Sequence, residues 1–342
     1  MTLLVVWFII WGFLWAMYFM LDGYDLGAAA VMGLVGRSDR QREIIHQSIG
    51  PFWDGNEVWL IAVGGVTFAA FPAAYAVMFS TLYAPLLMIL FALIFRALAF
   101  EFRPQSDSRH WRGLWDTLFS LSSIVAAFLF GVAFANIFRG VPFDAEGRMQ
   151  AGLLDLLTPY ALLGGVLFLL IFALHGSIWI AARTDGPLLS RARKAALALW
   201  PLVVLGVVAF LLASIRATPL YGNFVAQPIL FAIPALAVVA LVMVLISALK
   251  GRWWRAWFAS AGFIAAVVFF GVAGLFPNIF PSSLDPAYNL TIENSASSPL
   301  TLKIMLAVTL LLVPLIVGYQ IWVHLVFKGK LTEEPLERQD AY

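Results

Sequence analysis

Cysteine is absent from this chain of 342 residues. Its absence excludes disulfides, thiolate-held metal or Fe–S clusters, S-palmitoylation and the C-x-x-C-H attachment of a c-type haem. Charge is scarce too: only 12% of residues are charged, and no Lys or Arg occurs between Thr2 and Gly36. With four histidines in all, redox work by this chain alone would fall to histidine or methionine. Gly-rich phosphate loops, zinc-ligand spacings and nucleophile elbows are also missing. A net charge of +2 gives no reason to expect nucleic acid or an acidic partner.

What remains is apolar. Hydrophobic residues make up 62% of the chain and mean hydropathy is +0.92, against about 45–50% apolar residues in a soluble domain. The chain therefore reads as an all-α integral membrane protein. A spanning helix needs about 20 apolar residues, and on that ruler nine spans are expected, at about 2–22, 55–71, 76–99, 117–138, 159–182, 195–214, 228–249, 257–275 and 303–326. No basic residue precedes the first run and no small-residue cleavage site follows it, so it is expected to be a retained span. The chain reads as one polytopic domain: 1–138 with an acidic cluster, 139–326 with the remaining helices, and a mixed-charge, mobile tail at 327–342.

Sixteen of the 21 basic residues fall in alternate loops, at 37–42, 103–112, 183–194 and 250–255 and beyond 328. By the positive-inside rule these loops are cytoplasmic, the N-terminus lies outside and the C-terminus inside. An even number of spans could not satisfy this pattern. Two outer loops are long, Arg139 to Pro159 and Phe276 to Leu302. The second is Ser/Pro/Asn-rich, either a solvated connection or a cap on a partner's outer surface.

Carboxylates and one guanidinium gather in the first three spans. Asp22 and Asp25, three residues apart, share a helical face. Asp54 and Glu57 open the second span, Arg96 lies inside the cytoplasmic end of the third, and Glu101 follows it. Charge at the edge of hydrocarbon costs about 2.5 kcal/mol or more per residue and is by default a functional candidate. Two readings stay open. The group could hold a proton, since burial raises a carboxylate pKa and a nearby Arg lowers it. Alternatively, Asp54-Gly55-Asn56-Glu57 is a capping box with Trp53 and Val58 as its hydrophobic staple, Asp22 merely neutralises Arg96, and Gly23 and Gly27 mark a close helix crossing.

His46 and His110 are expected in cytoplasmic loops and His324 at the inner end of the last span. Only His175 is well inside a span, where it reads as a packed polar residue bonded to a neighbouring helix. A bis-His haem needs two such ligands. Trp7, Trp11, Trp253, Trp254 and Trp257 read as interface belt residues.

Three segments carry a resemblance: Leu21-Asp22-Gly23-Tyr24-Asp25-Leu26-Gly27, Gly50-Pro51-Phe52-Trp53-Asp54-Gly55-Asn56-Glu57-Val58-Trp59-Leu60, and Phe95-Arg96-Ala97-Leu98-Ala99-Phe100-Glu101-Phe102-Arg103. With Gly131-Val132-Ala133-Phe134-Ala135-Asn136, Gly140-Val141-Pro142-Phe143 and Phe276-Pro277 through Ser297-Ser298, their order and spacing resemble subunit II of the cytochrome bd quinol oxidases over nearly the whole chain.

The resemblance implies nine spans arranged as two four-helix bundles plus a peripheral helix. It implies pairing with a subunit I that carries haems of b and d type and the quinol site. The complex would oxidise quinol, reduce dioxygen to water and generate proton-motive force without pumping, in the bacterial cytoplasmic membrane. This chain would be its non-catalytic half, supporting assembly and lining a cytoplasmic proton path through Asp25 and Asp54, with Glu57 and Asp22 nearby and Trp53, Arg96 and Glu101 in support. A structural quinone and a small third subunit are left open by the resemblance. The alternative from another class is an autonomous proton-coupled transporter, although no inverted repeat with matching broken helices is visible.

Overall fold

A computed structural model describes residues 2–332. The chain runs α1 (Leu3–Val35), α2 (Asp39–Ile49), α3 (Trp53–Ala70), α4 (Pro72–Thr81), α5 (Tyr83–Phe102), α6 (Arg109–Arg139), α7 (Pro159–Arg183), α8 (Gly186–Ala217), α9 (Tyr221–Ala226), α10 (Ala232–Leu249), α11 (Trp253–Leu275), β1 (Asn278–Phe280), β2 (Leu290–Thr291) and α12 (Pro299–Val326). Helix starts follow local chemistry. The Thr2 and Thr158 side chains accept from backbone N–H groups three residues on, and Ser298 does the same ahead of Pro299. A free first-turn donor is thereby satisfied in each case, and proline is harmless at the first helical position.

Eight helices among the described residues are long and apolar enough to cross a membrane: α1, α5, α6, α7, α8, α10 with its leading 3-10 turn, α11 and α12. α3 is only 18 residues long and begins with Asp54, Asn56 and Glu57, which lower its mean hydropathy. The third expected span is two helices, α4 and α5, separated at Leu82 (φ −100°, ψ 20°). Several helices outrun their apolar stretches: α1 continues to Val35, and α8 starts at Gly186 rather than near 195. A helix satisfies its backbone internally wherever it runs, so it need not stop where the sequence turns polar. The loop expected at 37–50 contains α2, which opens with a Ser38–Gln41 capping box.

Bonds between distant segments define two ends. At one, Arg103 Nη2 donates to Asp39 Oδ1 at 2.8 Å, Arg191 Nε to Val35 O at 2.5 Å and Arg183 Nη1 to Gly329 O at 2.5 Å. Leu331 N also donates to Arg183 O at 2.8 Å, so the first residues after α12 are docked rather than mobile. Residues 333–342 of the expected tail lie outside the described residues. At the other end, Ser297 N donates to Ala70 O at 2.9 Å and Val141 N to Pro281 O at 3.0 Å. There β1 pairs antiparallel with β2, Phe143 stacks on Phe280 with centroids 5.3 Å apart, and Phe143, Ile279, Phe280 and Ile292 are buried. The long second loop is thus a folded cap over its own chain's helix ends, with residues 283–287 and 293–294 left exposed.

Trp7 and Trp11 are core residues rather than belt residues. Their indole N–H groups donate to Leu302 O at 3.1 Å and Thr67 Oγ1 at 3.0 Å. Trp253 and Trp257 are buried as well.

α1 is the hub, and Gly27 is what lets α7 reach it: a Cβ there would stand 1.7 Å from Phe172 O, and one on Gly176 2.0 Å from Ala28 N. Gly27→Ala is therefore expected to destabilise by about 3 kcal/mol or more, through forced overpacking. Gly33→Ala, which meets nothing within 4 Å, should stabilise by up to about 1 kcal/mol through helix propensity. Thermal unfolding of the two variants in detergent checks both.

Candidate functional site: a buried carboxylate–guanidinium cluster

The cluster forms where α1, α3 and α5 meet. Arg96 of α5 is 0% exposed, and its Nη1 donates to Asp22 Oδ1 of α1 at 2.6 Å. Its Nη2 donates to Glu57 Oε1 of α3, whose side chain is 23% exposed. Asp25, one turn along α1 and 1% exposed, pairs with no cation among the described residues. Its Oδ2 accepts from Asn56 Nδ2 at 2.7 Å. The same amide nitrogen donates to Tyr24 Oη at 2.8 Å, and Tyr24 Oη meets His324 Nε2 at 3.3 Å. Gln320 of α12 closes the site by donating to Gly55 O at 2.7 Å.

Of the residues singled out in the sequence, Asp22, Asp25, Glu57 and Arg96 come together. Asp54 does not join them in a bond: it is exposed and makes no ion pair or hydrogen bond among the described residues. The capping box is also absent. α3 begins at Trp53 behind a Phe52 cap without a side-chain bond, which puts Asp54 in the first turn, and Glu57 is committed to Arg96. Trp53 stacks face to face on Phe100, centroids 5.1 Å apart and planes 7° apart, while Val58 is exposed, so the two form no staple. Glu101 is exposed and unpaired among the described residues. Five residues beyond Arg96 is about 140° around a helix, so the two cannot share a face.

Asn56, Tyr24 and His324 escaped the sequence reading. Asn56 is neutral and sits inside an apparent turn, Asp-Gly-Asn-Glu; only its place three residues after Trp53 in a helix gives it an inward face. His175 is 0% exposed, with Nε2 on Met20 O at 2.9 Å and Nδ1 against Ser260 Oγ at 2.5 Å, the bonded core residue expected.

A second network lies at the same end. Asp116 accepts from Arg103 Nε at 2.6 Å and lies 3.2 Å from His46 Nε2, and Arg112 Nη1 donates to Asp39 Oδ2 at 2.6 Å. His46 is not in a loop. It lies in α2, buried against Phe119 at 4.3 Å and Phe100 at 5.6 Å. Phe100 thus separates His46 from Trp53. Burial holds the His46 pKa below its ordinary 6.5, with the Asp116 bond opposing that shift.

Fold and site together define a polytopic membrane subunit that buries a charged cluster near one end of its helices. Residues 3–327 match the family model of cytochrome bd terminal oxidase subunit II. The chain is 36% identical to cytochrome bd ubiquinol oxidase subunit 2 of Bacillus subtilis strain 168, covering 97% of this chain and 98% of that one. It is 33% identical to cytochrome bd-I ubiquinol oxidase subunit 2 of Escherichia coli K12, covering 97% and 96%. The bd oxidase structure from Geobacillus thermodenitrificans shares the fold, with a TM-score of 0.78 at 15% identity over 95% of this chain and 99% of that one. This chain belongs to the cytochrome bd terminal oxidase subunit II family, and so is a multi-pass membrane subunit of a quinol oxidase complex.

Arg96→Leu strands Asp22 and Glu57 without their cation and should cost about 3–5 kcal/mol, the usual effect of breaking a buried pair. Adding Asp22→Asn should recover part of the loss in the same thermal assay.

The His46 shift has a definite sign. Its folded pKa lies below its unfolded one, so the unfolded chain binds more protons, and the stability it contributes is present above pH 6.5 and lost as pH falls below that value. His46→Gln is expected to flatten that decline in unfolding curves recorded as a function of pH.

Proposed function

We propose that this chain is the haem-free, non-catalytic half of its oxidase, that it assembles with a haem-bearing subunit I, and that it lines a proton path from the cytoplasm in the order Asp54, Glu57, Asp22, Asp25. The observation that carries the path is a gradient of exposure across four carboxylates: Asp54 is exposed, Glu57 is 23% exposed, and Asp22 and Asp25 are sealed. Arg96 bridges the middle pair. Trp53, stacked on Phe100, walls the mouth, and Glu101 stands outside it as a surface acid.

Charge balance supports this role. Three carboxyl groups, Asp22, Asp25 and Glu57, stand around one guanidinium, so the cluster can take up a proton without becoming positive. Arg96 anchors Asp22 and Glu57, and Asn56 fixes Asp25, so a proton arriving there meets preset acceptors. The fully buried carboxylates are also the ones a merely structural role explains least. Neutralising Arg96 needs one acid, and Asp25 is not bound to it.

Nine traverses fit this path. α3 starts beside Asp25 and Gln320 and ends at Ala70 beside Ser297, at the opposite end of the assembly. At about 1.5 Å per residue its 18 residues rise about 27 Å, close to a hydrocarbon thickness. Counting α3, and taking α4 with α5 as one return, the N-terminus lies outside and the C-terminus in the cytoplasm of a bacterial inner membrane. The b and d haems are assigned to subunit I on the family resemblance, and the engagement of both ring nitrogens of His175 and of His324 within this chain supports that reading. Quinol and dioxygen are then met by the complex rather than by this subunit. A third small subunit and a bound quinone remain expectations from the family alone. Family membership favours the oxidase over an autonomous transporter.

In the purified complex with subunit I, Asp25→Asn keeps an acceptor for Asn56 but cannot exchange a proton at neutral pH. It is expected to leave the haem spectrum intact and slow quinol-dependent oxygen consumption by about 10²-fold, the lower range for a positioned proton-transfer group. Asp54→Asn should slow it less, without changing stability. Normal oxygen consumption and charge uptake in both variants, with assembly intact, would remove the proton role from this cluster.

A further inference from the structure

The cluster does not end at Asp22. Trp7, Trp11, Trp15, Tyr18, Asp22 and Asp25 follow one another at spacings of three and four along α1, which places them on a single face. The two outermost are satisfied by Leu302 O and Thr67 Oγ1. The inner four are not. Trp15 Nε1, Tyr18 Oη, Asp22 Oδ2 and Asp25 Oδ1 have no hydrogen-bond partner among the described residues, and Asn56 Oδ1, Trp59 Nε1 and Arg96 Nε around them are in the same position. Tyr18, Asp22, Asp25, Asn56, Trp59 and Arg96 are all 2% exposed or less.

Each of the two aspartates has one oxygen held by a protein donor and the other open. Asp22 gives Oδ1 to Arg96 and Asp25 gives Oδ2 to Asn56, which leaves Asp22 Oδ2 and Asp25 Oδ1 free on the same face. Tyr18 stands one turn further along, its hydroxyl close enough to Asp22 to interact with that carboxylate although the two make no bond of good geometry, so the hydroxyl can serve Asp22 and a water together. Beyond it the stripe is closed by rings: Phe130 lies 5.4 Å from Tyr18, and Phe134 lies 4.8 Å from Trp15. Acceptors and donors are thus both in excess at one buried place, with apolar walls past Tyr18. Native proteins pair the great majority of such groups with protein or ordered water, and an internal water makes about three hydrogen bonds. An unpaired buried group costs about 1–3 kcal/mol, so the open atoms of Asp22, Asp25, Asn56 and Arg96, which the bonds above hold together, point to water as their common partner.

We propose that this face of α1 holds a short file of ordered waters running from Asp25 past Asp22 to Tyr18, and that Tyr18 is the positioning residue that fixes its inner end. The water file stands on the unpaired atoms; its use for protons rests on the proton-path reading above. A proton on the aspartate pair then moves by hydrogen-bond exchange. Each water takes one proton and releases another, so the net change is transfer of one proton between the two aspartates: the one that gives it up becomes ionised and the one that receives it becomes neutral.

The test uses the intact complex with subunit I and the Tyr18→Phe variant, which removes one hydroxyl and leaves the ring's volume. Infrared difference spectra recorded in ordinary and ¹⁸O-labelled water read the file directly, because bands of internal water shift with the isotope. The wild type should show them and Tyr18→Phe should lose at least one. Proton uptake during turnover should slow about fivefold with haem content unchanged, the factor given by about 1 kcal/mol for one lost hydrogen bond, and its solvent deuterium isotope effect should rise. Unaltered water bands in Tyr18→Phe would overturn the proposal. If Tyr18→Phe leaves uptake normal while Asp25→Asn slows it, Tyr18 has no part in transfer and the proton path survives. If neither slows it, the path itself fails and the water bands alone decide whether the file exists. Should Tyr18→Phe not assemble, Trp15→Phe removes the neighbouring donor and is judged by the same bands.

Discussion

Arg96 is the constraint around which α1, α3 and α5 are organised. A guanidinium with no exposure cannot shed its charge and cannot be left unpaired in a low-dielectric interior, where the cost of stranding it is several kcal/mol. It therefore needs acids at the same depth from both flanking elements, and it finds Asp22 on α1 and Glu57 on α3. That demand fixes the rotation of three helices at once. Turning α1 by one residue would carry Asp22 about 100° away and bury a carboxylate against the aromatic rings on its neighbouring faces.

The rest of the packing holds α1 in that rotation. Gly27 and Gly176 bring the α1 and α7 backbones together, and Gly23 faces the Phe172 ring, whose Cδ1 would lie 2.9 Å from a Cβ there. Behind Asp25, Tyr24 stacks on Trp179 with centroids 4.1 Å apart, and Trp179 donates to Ser48 O at 3.2 Å, which ties the α1 face through α7 to α2. Rings of this kind combine large apolar burial with few rotatable bonds. The polar cluster thus sits in a frame whose own rotamers are locked.

Much of this was legible in the sequence where a physical necessity forced it. Apolar run length gave most helices. The Asp22–Arg96 pair followed because a buried cation must have an acid, and the core role of His175 followed from its isolation. What was not legible turned on direction rather than composition. Glu101 looks like part of the cluster in a linear string, yet lies on another face of α5. Asp54 and Glu57 have the spacing of a capping box, but α3 begins two residues earlier than that box requires, and Arg96, invisible locally, claims Glu57. α2 was hidden because its pattern is amphipathic and basic rather than apolar, and the break at Leu82 because both flanking halves are equally apolar.

Asn56 shows how much a neutral side chain can decide. While Asp25 is ionised, the Asn56 nitrogen, not its oxygen, faces Asp25 Oδ2 at 2.7 Å, since two acceptors would repel at that distance. The second amide hydrogen then goes to Tyr24 Oη. Tyr24 is left to donate its own proton to His324 Nε2, and His324 Nδ1–H donates to Gln320 O at 2.8 Å. One protonation pattern satisfies the whole chain of bonds, and in it every donor points away from the aspartate except the amide. An amide N–H does not exchange its proton on the timescale of turnover, so this row of bonds links α12 to the cluster mechanically while insulating it from proton flow. Under the proposed path, access to Asp25 is therefore one-sided: protons come by way of Glu57 and Asp22, and the His324 side serves to hold Asp25 in place.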